Sequence, residues 1–134
     1  MKYWLMKTEP GTYSWDDLVR DGRTFWDGVR NYTARNNLKE MKNGDEVLLY
    51  HSVNEKAIVG IAKIVKEFYK DPSTDDDRWV AVDIAPVKPL KKPVTLDQVK
   101  SDKRLSNMAL VRIGRLSVQS VSREEYDIIL SYGS

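Results

Sequence analysis

Eleven residues near the start of the chain, Trp26-Asp27-Gly28-Val29-Arg30-Asn31-Tyr32-Thr33-Ala34-Arg35-Asn36, concentrate the side chains best suited to holding a planar ligand. Trp26 and Tyr32 offer flat faces, the arginines and asparagines offer forked hydrogen bonds, and Gly28 permits a tight turn that would bring them together. Nucleobases, planar with polar edges, fit that chemistry. A second reading stays open beside it, with Trp26 as a core residue and Arg30 and Arg35 flanking or capping a helix.

Other chemistry is thinly represented. Cysteine is absent, which excludes disulfides, thiolate zinc sites and cysteine nucleophiles. The one histidine, His51, precedes Ser52, but adjacent strand residues face opposite sides and cannot form a nucleophile–base pair. His51 reads instead as a polar anchor or a base-edge contact. Neither G-x-x-x-x-G-K-[ST] nor G-x-G-x-x-G occurs, so phosphate-loop and dinucleotide chemistry are not expected. The run Asp75-Asp76-Asp77 has no histidine or glutamate at ligand spacing and reads as a solvated loop; no metal and no other cofactor is expected.

Lys7-Thr8-Glu9 keeps a catalytic alternative open, because a threonine activated by a lysine beside a carboxylate can attack an amide. The plainer reading is charge at a strand end. What remains is aromatic and polar: Trp26, Tyr32 and Tyr69, with Tyr3 and Trp79, beside Lys7, Glu9, Arg30, Asn31 and Ser117. That inventory suits binding. A flipped base gains roughly 1–3 kcal/mol per aromatic stack against a few kcal/mol for leaving a duplex, so edge hydrogen bonds must supply selectivity.

Composition narrows the partner. The 134 residues carry 22 basic and 20 acidic side chains, a formal charge of +2 spread evenly along the chain. Long-range attraction to polyanions is therefore weak, and nucleic acid would be engaged by a local site rather than a basic tail. With 41% apolar and 31% charged residues, the chain is expected to fold as one domain over residues 1–134, as a monomer. Met1 to Lys7 is too short and soon too polar for a secretory leader, and no apolar run approaches a membrane span. The expectation is a cytoplasmic setting, or a nuclear one in a eukaryote, and no membrane partner.

The elements that must position these side chains follow from local patterns. Tyr3–Lys7 reads as a strand ended by Thr8-Glu9-Pro10-Gly11, and Ser14-Trp15-Asp16-Asp17 as a capping box opening a short helix that turns Leu18 and Val19 inward. Ala34, Leu38 and Met41 recur at helical spacing before a left-handed stop at Asn43-Gly44; on that helix Arg35, Lys39 and Lys42 would share one face. Those three charges are either a solvated face or contacts to a nucleic-acid backbone. Glu46–Ser52 and Ala57–Phe68 read as an antiparallel hairpin turning at Val53-Asn54-Glu55-Lys56. Gly60 and Ala62 mark a strand face approached closely by something else.

Lys70–Arg78 reads as a loop, Trp79–Val87 as a strand, and Lys88-Pro89-Leu90-Lys91-Lys92-Pro93 as a proline-punctuated connection. Thr95-Leu96-Asp97-Gln98 and Ser122-Arg123-Glu124-Glu125 are further capping boxes, the second opening a terminal helix with Tyr126, Ile129 and Leu130 inward. A helical turn is expected within residues 102–110, and Arg115–Val121 reads as the last strand. The sum is an α+β domain built on about five to six mostly antiparallel strands in a small barrel-like sheet, with short helices inserted and one at the C-terminus.

In order, Tyr3-Trp4-Leu5-Met6-Lys7 with Glu9-Pro10, Tyr13-Ser14 with Asp16-Asp17-Leu18, Trp26 to Tyr32 with Ala34-Arg35-Asn36, Gly44-Asp45, Tyr50-His51-Ser52, Gly60-Ile61-Ala62, Tyr69 with Asp71-Pro72, and Arg115-Leu116-Ser117-Val118 resemble the motifs of the EVE domain family. The resemblance implies a PUA-like pseudo-barrel related to YTH and ASCH domains. It also implies a pocket for a modified nucleobase in DNA or RNA, modified cytosines such as 5-methylcytosine and 5-hydroxymethylcytosine above all. Trp26 would then be a cage wall, with Arg30, Asn31, Ser52 and Ser117 near the pocket. Thr8, Thr33 and Ser120 depart from the usual serine, glutamine and proline. Some ASCH-type relatives look like amidohydrolases acting on acylated cytidine, which attaches the Lys7, Thr8 and Glu9 alternative to the same resemblance.

Overall fold

The computed structural model describes residues 1–53 and 55–134, and the fold is a mixed six-stranded sheet wrapped by short helices. In chain order the elements are β1 (Tyr3–Thr8), α1 (Trp15–Asp21), β2 (Thr24–Trp26), α2 (Tyr32–Glu40), β3 (Glu46–His51), β4 (Ala57–Lys70) and β5 (Val80–Thr95). There follow α3 (Leu96–Ser101), a 3-10 turn (Lys103–Leu105), α4 (Ala109–Arg112), β6 (Val118–Val121) and α5 (Arg123–Gly133). The expected turn Val53-Asn54-Glu55-Lys56 includes Asn54, which lies outside the described residues; Val53 and Lys56 beside it both have positive φ. No helix among the described residues is long and apolar enough to cross a membrane.

The strand order is β2-β5-β4-β3-β1-β6, antiparallel at every step except β1 beside β3. Bulges in β4 and β5 bend the sheet around one core, which holds Trp4, Met6, Leu18, Leu38, Leu49 and Val82. A second core on the other face joins Leu5, Leu48, Ile58 and Val99 to Tyr126 and Ile129 of α5. No pairing joins β2 to β6 among the described residues, so the barrel is incomplete and its two end strands are free.

All three capping boxes form as the sequence indicated, at Ser14, Thr95 and Ser122. Gly60 is also explained: a Cβ built there would lie 2.5 Å from the Trp15 ring, which packs flat against the strand. Several expectations are corrected. Val19 is exposed, since one turn of α1 can present only Trp15 and Leu18 inward. Helix α2 stops at Glu40 rather than running to Asn43-Gly44, because the buried Asp45 carboxylate accepts the Lys42 N–H and Met41 turns extended. Lys42 therefore lies beyond the helix, and the three-residue stripe with Arg35 and Lys39 does not exist.

The segment Lys88 to Pro93 is strand, not connection. Among the described residues no strand pairs with the outer side of β5 beyond Ile84, so its prolines need supply no N–H to a ladder on that side. The last strand begins at Val118 instead of Arg115, and the three-residue β2 has no counterpart in the sequence reading.

Candidate functional site

A cavity of about 670 Å³ opens where the two free ends of the sheet face each other. From one side come Lys7 and Thr8 at the end of β1, Glu9 just beyond it, and Ser117 before β6; from the other come Thr24, Phe25 and Trp26 of β2 and the turn to Arg30. The first of these sides is held together by the backbone bond from Lys7 N–H to Ser117 O, 2.9 Å. A volume of this order suits a nucleoside-sized ligand.

Trp26 serves both readings left open by its sequence. It packs against the main core and meets Tyr13 edge to face, ring centres 6.4 Å apart, while another part of it lines the cavity. Its partner Tyr13 also lines the cavity and donates its hydroxyl to Asp21, 2.9 Å away. Tyr13 was not singled out as a site residue; its only signal was its place in the second of the ordered motifs. Val29, buried beneath the turn, adds apolar floor.

The turn from Trp26 to Arg30 is held by a carboxylate that composition could not reveal. Asp71, wholly buried, accepts hydrogen bonds from Gly28 N–H (2.9 Å), Arg30 Nη1 (2.9 Å), Ser73 N–H (2.7 Å) and the Ser73 hydroxyl (2.6 Å). Burial alone would raise its pKa, but the Ser73 donors, Arg30 and Gly28 outweigh it and hold the group at about 2. Gly28 takes φ +75, a left-handed conformation that a side chain would strain. Arg30 lies over the Trp79 ring at 5.5 Å, and Trp79 stacks on Tyr32 at 5.2 Å, so the arginine at the cavity edge is backed by an aromatic pair.

Of the residues expected at the site, the structure brings Lys7, Trp26, Arg30 and Ser117 together around the cavity. The others stand elsewhere, each for a visible reason. Asn31 caps α2, its side chain accepting from Ala34 N–H. Tyr32 is exposed, but its ring is taken up by Trp79 and by Arg35 at 5.0 Å, and its hydroxyl accepts from Arg78. His51 is a buried anchor: Nε2 accepts from Trp15 N–H at 3.0 Å, which leaves Nδ1 to face Glu55. Ser52 donates to Thr8 O, and Tyr69 donates to Asp83 at 2.5 Å, which together with burial raises the phenol's pKa.

Lys7, Thr8 and Glu9 share the cavity wall. Lys7 Nζ donates to Gly114 O at 2.8 Å, and the Thr8 hydroxyl donates to Tyr13 O at 2.7 Å. Among the described residues no hydrogen bond links the Lys7 amine to the Thr8 hydroxyl. Burial lowers the Lys7 pKa. Of the three cations assigned to a nucleic-acid backbone, Arg35 bonds Asn36 and Arg78 O, Lys39 sits over Phe68, and Lys42 is exposed beyond the helix. Among the described residues no group of three acidic, histidine or cysteine side chains is placed to hold a metal.

Residues 2–132 match the family model of the EVE domain. The chain belongs to the EVE domain family. Among proteins similar to this EVE domain is thymocyte nuclear protein 1 of Homo sapiens, 38% identical over 163 residues that cover 96% of this chain and 72% of that protein. A crystal structure of a protein from Agrobacterium tumefaciens superposes with a TM-score of 0.98 at 40% identity, covering 100% of this chain and 94% of that one. The human THYN1 protein, solved in complex with 5-methylcytosine-containing DNA, superposes with a TM-score of 0.93 at 38% identity, covering 100% and 98%. An ASCH protein from Zymomonas mobilis matches at a TM-score of 0.64 with 13% identity, over 99% of this chain and 96% of that one, a likeness of fold alone. The EVE domain is thus an α+β, PUA-like pseudo-barrel, and its cavity lies at the gap in that barrel.

Proposed function

We propose that the chain acts throughout its length as one EVE domain that binds DNA or RNA by taking a modified cytosine into the cavity between Lys7, Trp26 and Ser117. The observation that carries the reading is Trp26, an aromatic wall on an open, nucleoside-sized cavity. It is supported by the likeness to the human THYN1 protein in its complex with 5-methylcytosine-containing DNA.

In this reading Trp26 stacks on the base and Tyr13 buttresses the tryptophan. Lys7 and the Ser117 hydroxyl donate to the base's O2 and N3, while Glu9 or Asp27 accepts from its amino group. Val29 and the aromatic edges receive the 5-substituent. One buried methyl is worth about 0.8 kcal/mol, so preference for 5-methylcytosine over cytosine should be several-fold, not thousand-fold. Few free cations adjoin the cavity, so phosphate contacts, with Arg35, Lys39 and Lys42 as candidates, would be few and the salt dependence shallow. No cofactor enters this reading, the protein acts as a monomer, and its place is wherever nucleic acid is, cytoplasm or nucleus.

The test is a titration of short single- and double-stranded DNA and RNA oligonucleotides, with and without modified cytosine, against the protein and Trp26→Ala. Loss of one stacking contact, roughly 1–3 kcal/mol, should weaken binding to modified strands by about 5- to 150-fold. Equal binding of all oligonucleotides by both proteins would sink the proposal.

A further inference from the structure

Phe25 sits at the mouth of the cavity. It is 52% exposed, belongs to neither core, and precedes Trp26 on the end strand β2. Successive strand residues point to opposite faces, so Trp26 reaches inward where Phe25 reaches out. The strand beneath it is firmly seated. Phe25 pairs in register with Asp83, which is bound by Arg23 at 2.9 Å and by Tyr69, and the chain beyond Trp26 is tied through Gly28 to Asp71. Arg23 and Arg30, side chains 54% and 40% exposed, flank this apolar ring on either side along the chain.

An apolar ring on a rigid edge, flanked by cations and adjoining a base-sized cavity, fits one partner better than others. We propose that Phe25 is a wedge that enters the duplex where a cytosine has left it, so that the substrate of this domain is double-stranded DNA with the modified base turned out. The inference rests on the cavity receiving a base. A base leaving a duplex unstacks its neighbours and opens a gap, and aromatic and aliphatic side chains fill such gaps in other DNA-binding proteins. A single strand leaves no gap to fill. Arg23 and Arg30 would meet the phosphates on either side of the opening.

The two states of the substrate separate the wedge from the pocket. Fluorescence anisotropy is measured for an oligonucleotide carrying a central 5-methylcytosine and for its unmethylated counterpart, each alone and annealed to its complement, against the native chain, Phe25→Ala and Phe25→Leu. Phe25→Ala should weaken duplex binding about tenfold more than it weakens single-strand binding, while Phe25→Leu keeps most of the duplex affinity. Equal weakening of both substrates, or an unchanged duplex affinity, would overturn the wedge. If the native chain does not prefer the methylated single strand to the unmethylated one, the pocket reading fails and the wedge with it. Circular dichroism verifies folding, and Phe25→Gln, polar at a solvent-facing position, replaces the alanine variant if that one does not fold.

Discussion

The guanidinium of Arg30 lies 2.9 Å from the carboxylate of Asp71, a residue forty-one positions along the chain and wholly buried. Through that contact the loop between β4 and β5 holds the turn that carries Trp26 into the cavity. Asp71 contacts no ligand in the proposed arrangement; it shapes the wall that does.

Replacing Asp71 with asparagine keeps the shape and removes the charge. An amide NH2 would then face donors at Gly28, Arg30 or Ser73. Because Arg30 is partly solvated, the expected loss is about 2 kcal/mol rather than the larger cost of stranding a fully buried ion. Urea unfolding measures it, and affinity for a methylated oligonucleotide should fall about tenfold while Trp26 remains present.

Acid should loosen the same turn. Asp71 titrates at about 2 when folded against an ordinary 3.8, so its contribution is complete above pH 3.8 and is lost as the pH falls from there toward 2. For this buried group the contribution is about 2 kcal/mol. Stability measured by denaturant titration at successive pH values should decline across that window, and the decline should be shallower in Asp71→Asn.

Gly60→Ala should destabilise by about 1–3 kcal/mol, through overpacking and not through backbone strain. The added methyl would meet the Trp15 ring at 2.5 Å, and Trp15 is buried with its backbone N–H bonded to His51, so the ring has nowhere to retreat. Thermal unfolding measures the loss. Gly11→Ala, with open space around it, should change stability by less than about 0.5 kcal/mol.

What was legible in the sequence was what neighbours in the chain decide. The capping boxes at Ser14, Thr95 and Ser122, the alternation of Val80, Val82 and Ile84, and the tight spacing demanded by Gly60 all formed as read. What was not legible depends on partners far away. Strand β2 is three residues long and exists because Thr24 to Trp26 pair with Val82 to Ile84. The prolines of β5 look like breakers until its unpaired outer side is known. At the site, residue type identified Lys7, Trp26, Arg30 and Ser117, all of which reach the cavity. The same chemistry in Asn31, Tyr32, His51, Ser52 and Tyr69 is spent on a cap, a stack and hydrogen bonds within the fold, and only distances reveal that.

The pairing of β1 with β6 sets Tyr3 opposite Val121, and Lys7 bonds Ser117 across the same seam. During synthesis, then, the residues of β1 leave the ribosome long before those of β6, which complete the same side of the cavity. A fragment ending before residue 117 would contain Lys7, Trp26, Arg30 and Asp71 yet lack Ser117 and the strand that pairs with β1. Binding should therefore arrive abruptly, with the final strand, and no shortened product of translation should compete for the ligand.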